Sequence, residues 1–312
     1  MGTDTKPKNV LTLKDMLRAA ERGCFAVGSF SPRYVPMIQP ILLAGERNRS
    51  PLIVQISQKE LVRYGIAPFE FANQFYRVLE EDSITVPVTL HLDHTKDFEV
   101  IADAIAAGFT SVMIDASDQP LEQNIALTRE VVEYAHEKGV SVEAELGKIG
   151  TTDFVETDTD EELYTDPKEA QYFVEKTGID ALAASVGTAH GVYDVKKPKI
   201  DYDRLQKIRL LTKIPLVLHG GSGVPAEMIK HATHLPNGGI SKVNIATDLE
   251  VAWLEALGLS ERMTNDECRS LSEGQLAKGQ TTVEKVASAK MNNYLGSAGK
   301  AWTFEKDEQE KE

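Results

Sequence analysis

The chain has 312 residues, with 34 Lys and Arg against 48 Asp and Glu, a formal net charge of −14. This excess of acid argues against a nucleic-acid backbone as the partner but not against a small anion, which needs only local positive potential. The polar start carries no secretory h-region, Lys6 breaks a myristoylation pattern, no apolar run nears the ~20 residues of a membrane span, and Cys24 and Cys268 make no disulfide framework, so the expected compartment is the cytoplasm.

Short β-branched runs recur along the chain, each followed by a helical stretch. They cover residues 25–29, 52–56, 86–92, 111–114, 140–145, 181–186, 215–219 and 241–245. Between them, residues 98–105 place apolar side chains at helical spacing and stop near Gly108, and residues 124–136 do the same and stop near Gly139. Asp166 followed by Pro167 reads as an N-cap with proline at the first helical position. Alternating β and α units predict a parallel sheet, and eight of them favour a closed (β/α)8 barrel, the TIM-barrel architecture, over an open doubly wound sheet. No Gly-x-Gly-x-x-Gly follows the first strand, which weakens a dinucleotide-binding reading. One domain spans residues 1–312: a barrel over about 10–250, a helical extension over about 251–300 and a charged tail over 303–312. The extension exceeds what a barrel needs and is expected to cover the barrel bottom or to pack against another subunit. The polar segment 151–165 after the fifth strand reads equally as a lid or as a solvated acidic loop.

In such barrels the reactive groups sit at the C-terminal ends of strands. There the sequence places Ser57, Asp93 with His94, Asp115, Glu145, the small-residue loop Gly187-Thr188-Ala189-His190-Gly191, the run His219-Gly220-Gly221-Ser222-Gly223, and Asn244-Ile245-Ala246-Thr247-Asp248. His94, His190 and His219 therefore share one rim. A single histidine at a strand end more often packs than ligates. Three on one rim suit a catalytic zinc, which takes three protein ligands and keeps a position open, although imidazoles alone do not separate zinc from cobalt or manganese. His91 alternates with the leucines of the third strand and is expected on one face of the barrel wall. His136 ends a helix, where a cation suits the macrodipole. The glycines at 220, 221 and 223 precede a helix start and allow close approach of an anion to backbone N–H groups.

Five motifs together resemble those of the class II, zinc-dependent ketose-bisphosphate aldolases, nearest the tagatose- and fructose-bisphosphate branch. They are Leu92-Asp93-His94, Ala144-Glu145-Leu146-Gly147, Gly187-Thr188-Ala189-His190-Gly191, Leu218-His219-Gly220-Gly221-Ser222 and Lys242-Val243-Asn244-Ile245-Ala246-Thr247. The resemblance runs from about Leu11 to Gly299. It implies His94, His190 and His219 as zinc ligands and Asp93 as the residue that exchanges a proton with the C4 hydroxyl of a ketose. It also implies that Gly191, Gly220, Gly221, Ser222, Asn244, Ile245, Ala246 and Thr247 hold dihydroxyacetone phosphate, with Ser57 beside the phosphate and a monovalent cation, Na+ or K+, near it. The implied activity is reversible cleavage of a ketose 1,6-bisphosphate to dihydroxyacetone phosphate and an aldehyde such as glyceraldehyde 3-phosphate, in a homodimer or homotetramer. Such a zinc would act as a Lewis acid on the three-carbon fragment, and no lysine Schiff base is required. Lys242, the one lysine near a strand end, lies inside the eighth strand.

Two places depart from the family pattern. The group that protonates C3 is a Glu in the family; by count that place falls on Asp153, and a shift of the loop would bring Glu156 there instead. The family's Asn-x-x-Asn segment after the first strand is replaced by Ser31-Pro32-Arg33-Tyr34. Arg33 reads either as a guanidinium for a distal anionic group of the substrate or as a surface arginine. The first of these keeps open an aldolase for a ketose phosphate with a different terminal acid group. A catalytically silent sugar-phosphate-binding partner is the remaining alternative, opposed by the joint presence of Asp93 and the three histidines.

Overall fold

The computed structural model describes residues 6–147, 150–151, 164–190 and 198–307. Eight parallel strands close into a barrel: β1 (Val27–Phe30), β2 (Leu52–Ser57), β3 (Val88–Thr95), β4 (Ser111–Ile114), β5 (Ser141–Leu146), β7 (Ala181–Ala184), β9 (Leu216–Leu218) and β10 (Ile240–Ile245). Two short strands outside it, β6 (Gly150–Thr151) and β8 (Ala189–His190), pair with each other in parallel. The helices are α1 (Leu13–Gly23), α2 (Ile38–Asn48), α3 (Gln58–Tyr64), α4 (Pro68–Glu81), α5 (Phe98–Ala107), α6 (Leu121–His136), α7 (Pro167–Thr177), α8 (Tyr202–Thr212), α9 (Ala226–Thr233), α10 (Thr247–Leu257), α11 (Asn265–Arg269) and α12 (Glu273–Lys290). The (β/α)8 expectation therefore holds, with strand ends moved by at most three residues.

The barrel floor is closed by α1, with Phe304 near the C-terminus packed against the same cluster, and not by the helices of the 251–300 extension. Thr12 caps α1 by accepting from the Asp15 N–H at 3.2 Å, and Leu13, Met16, Leu17 and Ala20 form its apolar face. That face packs against Phe25, Val27, Ile53, Met113, Ala181, Ala183 and Val217, the lowest inward layer of the strands. Each fully buried aliphatic side chain there contributes about 1.5–3 kcal/mol. The C-terminal helix α12 instead runs along the outside against α2 and α10. Gly279 permits that approach, because a Cβ there would lie 2.8 Å from the indole of the fully buried Trp253.

Above this apolar layer the barrel interior is polar. Ser29, Gln55, His91, Glu143 and Lys242 are buried within it. His91 thus points into the barrel rather than merely along its wall, with Nδ1 2.8 Å from the Ser111 hydroxyl. His136 ends α6 as expected and pairs with Asp180 at 2.8 Å, away from the rim.

Candidate active site

Asp93 and His94 lie on β3 itself, where strict alternation would send consecutive side chains to opposite faces. The pairing of β3 with β4 slips at this point: Leu92 pairs with Val112, but Thr95 pairs with Ile114. Three steps on one strand oppose two on the other, a bulge of the kind that re-aims a side chain. Asp93 and His94 consequently both reach the rim cluster, where one donor atom from each of Asp93, His94 and His219 lies within 4.8 Å of the others. The rings of His94 and His219 meet edge-on at 4.4 Å.

Asp93 is held by two neutral amides. Gln55 Nε2 donates to Oδ2 at 3.1 Å, and Asn244 Nδ2 donates to Oδ1 at 3.1 Å. Gln55 is itself oriented from both ends, since Ser29 Oγ donates to its carbonyl oxygen and its amide nitrogen also donates to Ser31 Oγ at 3.2 Å. Lys242 Nζ stands 3.9 Å from Asp93 Oδ1 and donates to Glu143 Oε2 at 2.8 Å. The other Glu143 oxygen lies 2.9 Å from His219 Nε2. On the opposite side, His94 Nδ1 donates to Asp115 at 3.0 Å and lies 3.7 Å from Glu145, whose Oε2 is also 3.5 Å from His219 Nδ1.

This cluster gathers four carboxyl groups, Asp93, Asp115, Glu143 and Glu145, and Lys242 is the lysine or arginine that pairs with them among the described residues. Unbalanced negative charge away from water is expensive, and protons or a cation must offset it. The titration behaviour follows. Burial pushes the Glu145 carboxyl up to about 8, against the pull of His94. Burial works to strip the proton from His94, but Asp93, Asp115 and Glu145 outweigh it and push its pKa up to about 10. Asp115 falls below the usual carboxylate range, because His94 overcomes the effect of its burial. His219, fully buried and beside His94, is driven well below the ordinary imidazole value. Imidazole and carboxylate donors converging on a buried, electron-rich point fit a divalent transition metal, which would take over the balancing done here by protons.

The glycine-rich turn and the end of β10 come together as expected. Gly221 N donates to Asn244 O at 3.1 Å, and Ser222 Oγ accepts from the N–H groups of Ala246 and Asp248 at 3.3 and 3.4 Å. Ser222 thereby ties the turn to the first turn of α10, which opens with Thr247. Ile245 turns its side chain into the core and its carbonyl accepts from Ser31 N, while the Asn244 side-chain amide donates to Asp93. Ser57 is also committed: its N–H and its hydroxyl both donate to Glu60 Oε2 at 3.0 Å, as the N-cap of α3. Arg33 is not a surface arginine. Its guanidinium is shared between Glu60, at 3.1 Å, and Glu250, and its charge is balanced there. The side chain of His190, together with Gly191, Asp153 and Glu156, lies outside the described residues.

Comparison with known proteins decides the family. The sequence matches the family described as Fructose-bisphosphate aldolase class-II over residues 11–300. The chain belongs to that family. It is 42% identical over 295 residues to a fructose-bisphosphate aldolase of Geobacillus stearothermophilus, covering 94% of this chain and 99% of the relative. It is 38% identical over 292 residues to a fructose-bisphosphate aldolase of Staphylococcus aureus strain Mu50, covering 94% and 99%. Among solved structures, the YdjI aldolase of Escherichia coli K12 superimposes with a TM-score of 0.78 at 30% identity, covering 94% of this chain and 99% of that one. The chain is thus an aldolase, a lyase of a metal-dependent class with phosphorylated sugar substrates, and the silent-partner alternative is not favoured. No helix among the described residues is long and apolar enough to cross a membrane.

Two parts of this aldolase site escaped the sequence reading. Gln55 and Glu143 occupy inward positions of otherwise apolar strands, and a polar residue there was the available signal. Glu60, which holds Ser57 and Arg33, completes the capping box Ser57-x-x-Glu60, so a local signal was available for it, whereas Glu250, which also holds Arg33, sits on a helix and carried no local mark. The close turn also makes a prediction. A Cβ on Gly221 would lie 2.3 Å from Val243 Cγ1 and 2.8 Å from the Asn244 carbonyl, which is backbone and cannot swing away. Gly221→Ala is expected to lower stability by about 1–3 kcal/mol and to raise KM for the phosphorylated substrate. Urea unfolding and steady-state kinetics check it, and a wild-type midpoint with wild-type KM would separate the turn from both packing and binding.

Proposed function

We propose that this aldolase is zinc-dependent, works in the cytoplasm, and reversibly cleaves a ketose 1,6-bisphosphate of the tagatose or fructose type to dihydroxyacetone phosphate and an aldehyde such as glyceraldehyde 3-phosphate. The observation that carries the reading is the Asp93 carboxylate, pinned by Gln55 and Asn244 beside the imidazoles of His94 and His219. The names and near full-length match of the relatives support the substrate class. His94, His190 and His219 would hold the metal, which when bound supplies Lewis-acid polarisation of the oxygens of the three-carbon fragment.

The protein's own groups account for the proton movements. In cleavage, Asp93 takes the proton of the C4 hydroxyl, the C4–O bond becomes a carbonyl, and the C3–C4 bond breaks with its electron pair left on the three-carbon fragment. Gln55 and Asn244 keep both Asp93 oxygens aimed during that transfer. A loop residue after β5, Asp153 by count or Glu156 after a shift, would deliver the proton to C3, completing dihydroxyacetone phosphate. Gly220, Gly221, Ser222 and the start of α10 at Ala246 and Thr247 would take the phosphate on backbone N–H groups, with Gly191 closing the other side and Na+ or K+ nearby. Because the Ser57 donors and the Arg33 guanidinium are already engaged by carboxylates, we assign these two to shaping the pocket wall rather than to direct anion contact. The assembly would be a homodimer or homotetramer.

The test is release of dihydroxyacetone phosphate from fructose and tagatose 1,6-bisphosphates and from ketose phosphates with other terminal acid groups, with and without a chelator. Release from a bisphosphate, abolished by chelation and restored by Zn2+, is expected. Release confined to a non-bisphosphate would overturn the substrate, and chelator-insensitive release would overturn the metal.

A further inference from the structure

We propose that Lys242 and Glu143 are positioning residues of the metal centre: Lys242 anchors Glu143, and Glu143 sets the His219 ring so that Nδ1, not Nε2, faces the metal. The inference rests on the metal-binding reading above and adds the device that orients one of its ligands. All three side chains are fully buried inside the barrel. Lys242 comes from β10, Glu143 from β5 and His219 from the end of β9, so no local sequence pattern brings them together.

The chain of contacts has a direction. Lys242 Nζ has only hydrogens to offer, and it donates to Glu143 Oε2 at 2.8 Å. A carboxylate paired in this way only accepts, so the imidazole nitrogen 2.9 Å from its other oxygen must carry the ring hydrogen. That nitrogen is Nε2. A neutral ring carries one hydrogen, which leaves the Nδ1 lone pair on the other edge. Nδ1 faces Glu145 Oε2 at 3.5 Å, the same oxygen that lies 3.7 Å from His94 Nδ1, so that edge looks into the cluster shared with His94. Carboxylates behind a metal-ligating histidine fix ring and tautomer in this manner, and their loss typically weakens metal binding 10–100-fold. Lys242 lies beneath the rim and is held by its ion pair, which explains why a buried lysine sits in an aldolase that needs no Schiff base.

The test measures Zn2+ affinity by chelator competition in the full chain, for wild type, Glu143→Gln and Lys242→Met, alongside melting of the metal-free proteins. The expected result is Zn2+ affinity weakened about 10–100-fold in Glu143→Gln and weakened in the same direction in Lys242→Met. A purely structural pair would lower the metal-free melting midpoint and leave affinity unchanged, and that result overturns the proposal. A second measurement needs no variant. In wild type with 15N-labelled histidine and 113Cd2+, the coupling to the metal is expected on His219 Nδ1 with a hydrogen on Nε2; metal on Nε2 overturns the proposal even if both variants fail to fold. Wild type that takes up neither Zn2+ nor Cd2+ overturns the metal reading itself, a failure distinct from metal bound through the wrong nitrogen.

Discussion

Asp93→Asn is expected to lower turnover by about 10²–10⁴-fold, the usual worth of a positioned acid–base group, while the protein stays folded and loaded with metal. The substitution keeps the volume and removes the carboxylate proposed above to accept the C4 hydroxyl proton. It also turns an amide N–H toward Gln55 or Asn244, both of which are donors at 3.1 Å, so some loss of order around the site accompanies the loss of the base. The fall should therefore appear mainly in kcat rather than in KM. Steady-state kinetics and metal content by atomic spectroscopy separate the outcomes. Near-normal kcat would remove Asp93 from the reaction, and loss of metal together with activity would make it a ligand instead.

Glu250→Gln is expected to destabilise the fold by about 3–5 kcal/mol, the scale for breaking a buried charge pair from one side. Glu250 Oε1 accepts from Tyr34 Oη at 3.1 Å and Tyr64 Oη at 3.0 Å, while Oε2 receives Arg33 and, at 3.1 Å, Arg262 Nε. Four donors from the segment after β1, from the end of α3 and from the segment after α10 thus meet on one carboxylate that is 4% exposed. Glutamine keeps one acceptor oxygen and presents an N–H pair to two of those donors. The pH dependence has a definite sign. Burial raises the Glu250 pKa, but Arg33 and then Arg262 outweigh it, and the folded value lies below the ordinary one. Its contribution is present above the unfolded value of about 4.3 and disappears as pH falls through the folded value. Urea midpoints of wild type and variant should accordingly differ at neutral pH and converge in acid. Equal midpoints at neutral pH would remove the cluster from the stability of the rim.

Arg33 shows where local reading stops. Its guanidinium is a good partner for an oxyanion, and it stands in an altered motif. Its partner Glu250 is 217 positions away, and no local pattern connects the two. The same holds for Gln55 and Asp93, 38 positions apart, and for Lys242 and Glu143, 99 apart. Polar residues inside strands marked these positions as unusual, but which polar group meets which is decided by strand order and register around the closed barrel.

The eight strands, their alternation with helices and the rim that bears Asp93, His94 and His219 were legible in the sequence alone. Those features depend on period-two and helical spacing and on the residues at strand ends, all of which act over a few positions. Tertiary contacts decide that a slip between β3 and β4 turns both Asp93 and His94 toward the site, that α1 with Phe304 rather than the 251–300 extension seals the floor, and that Lys242 is balanced by Glu143 beneath the rim. Each of these is a contact between distant segments, and burial away from water forces every charge and hydrogen bond there to find its partner within the fold.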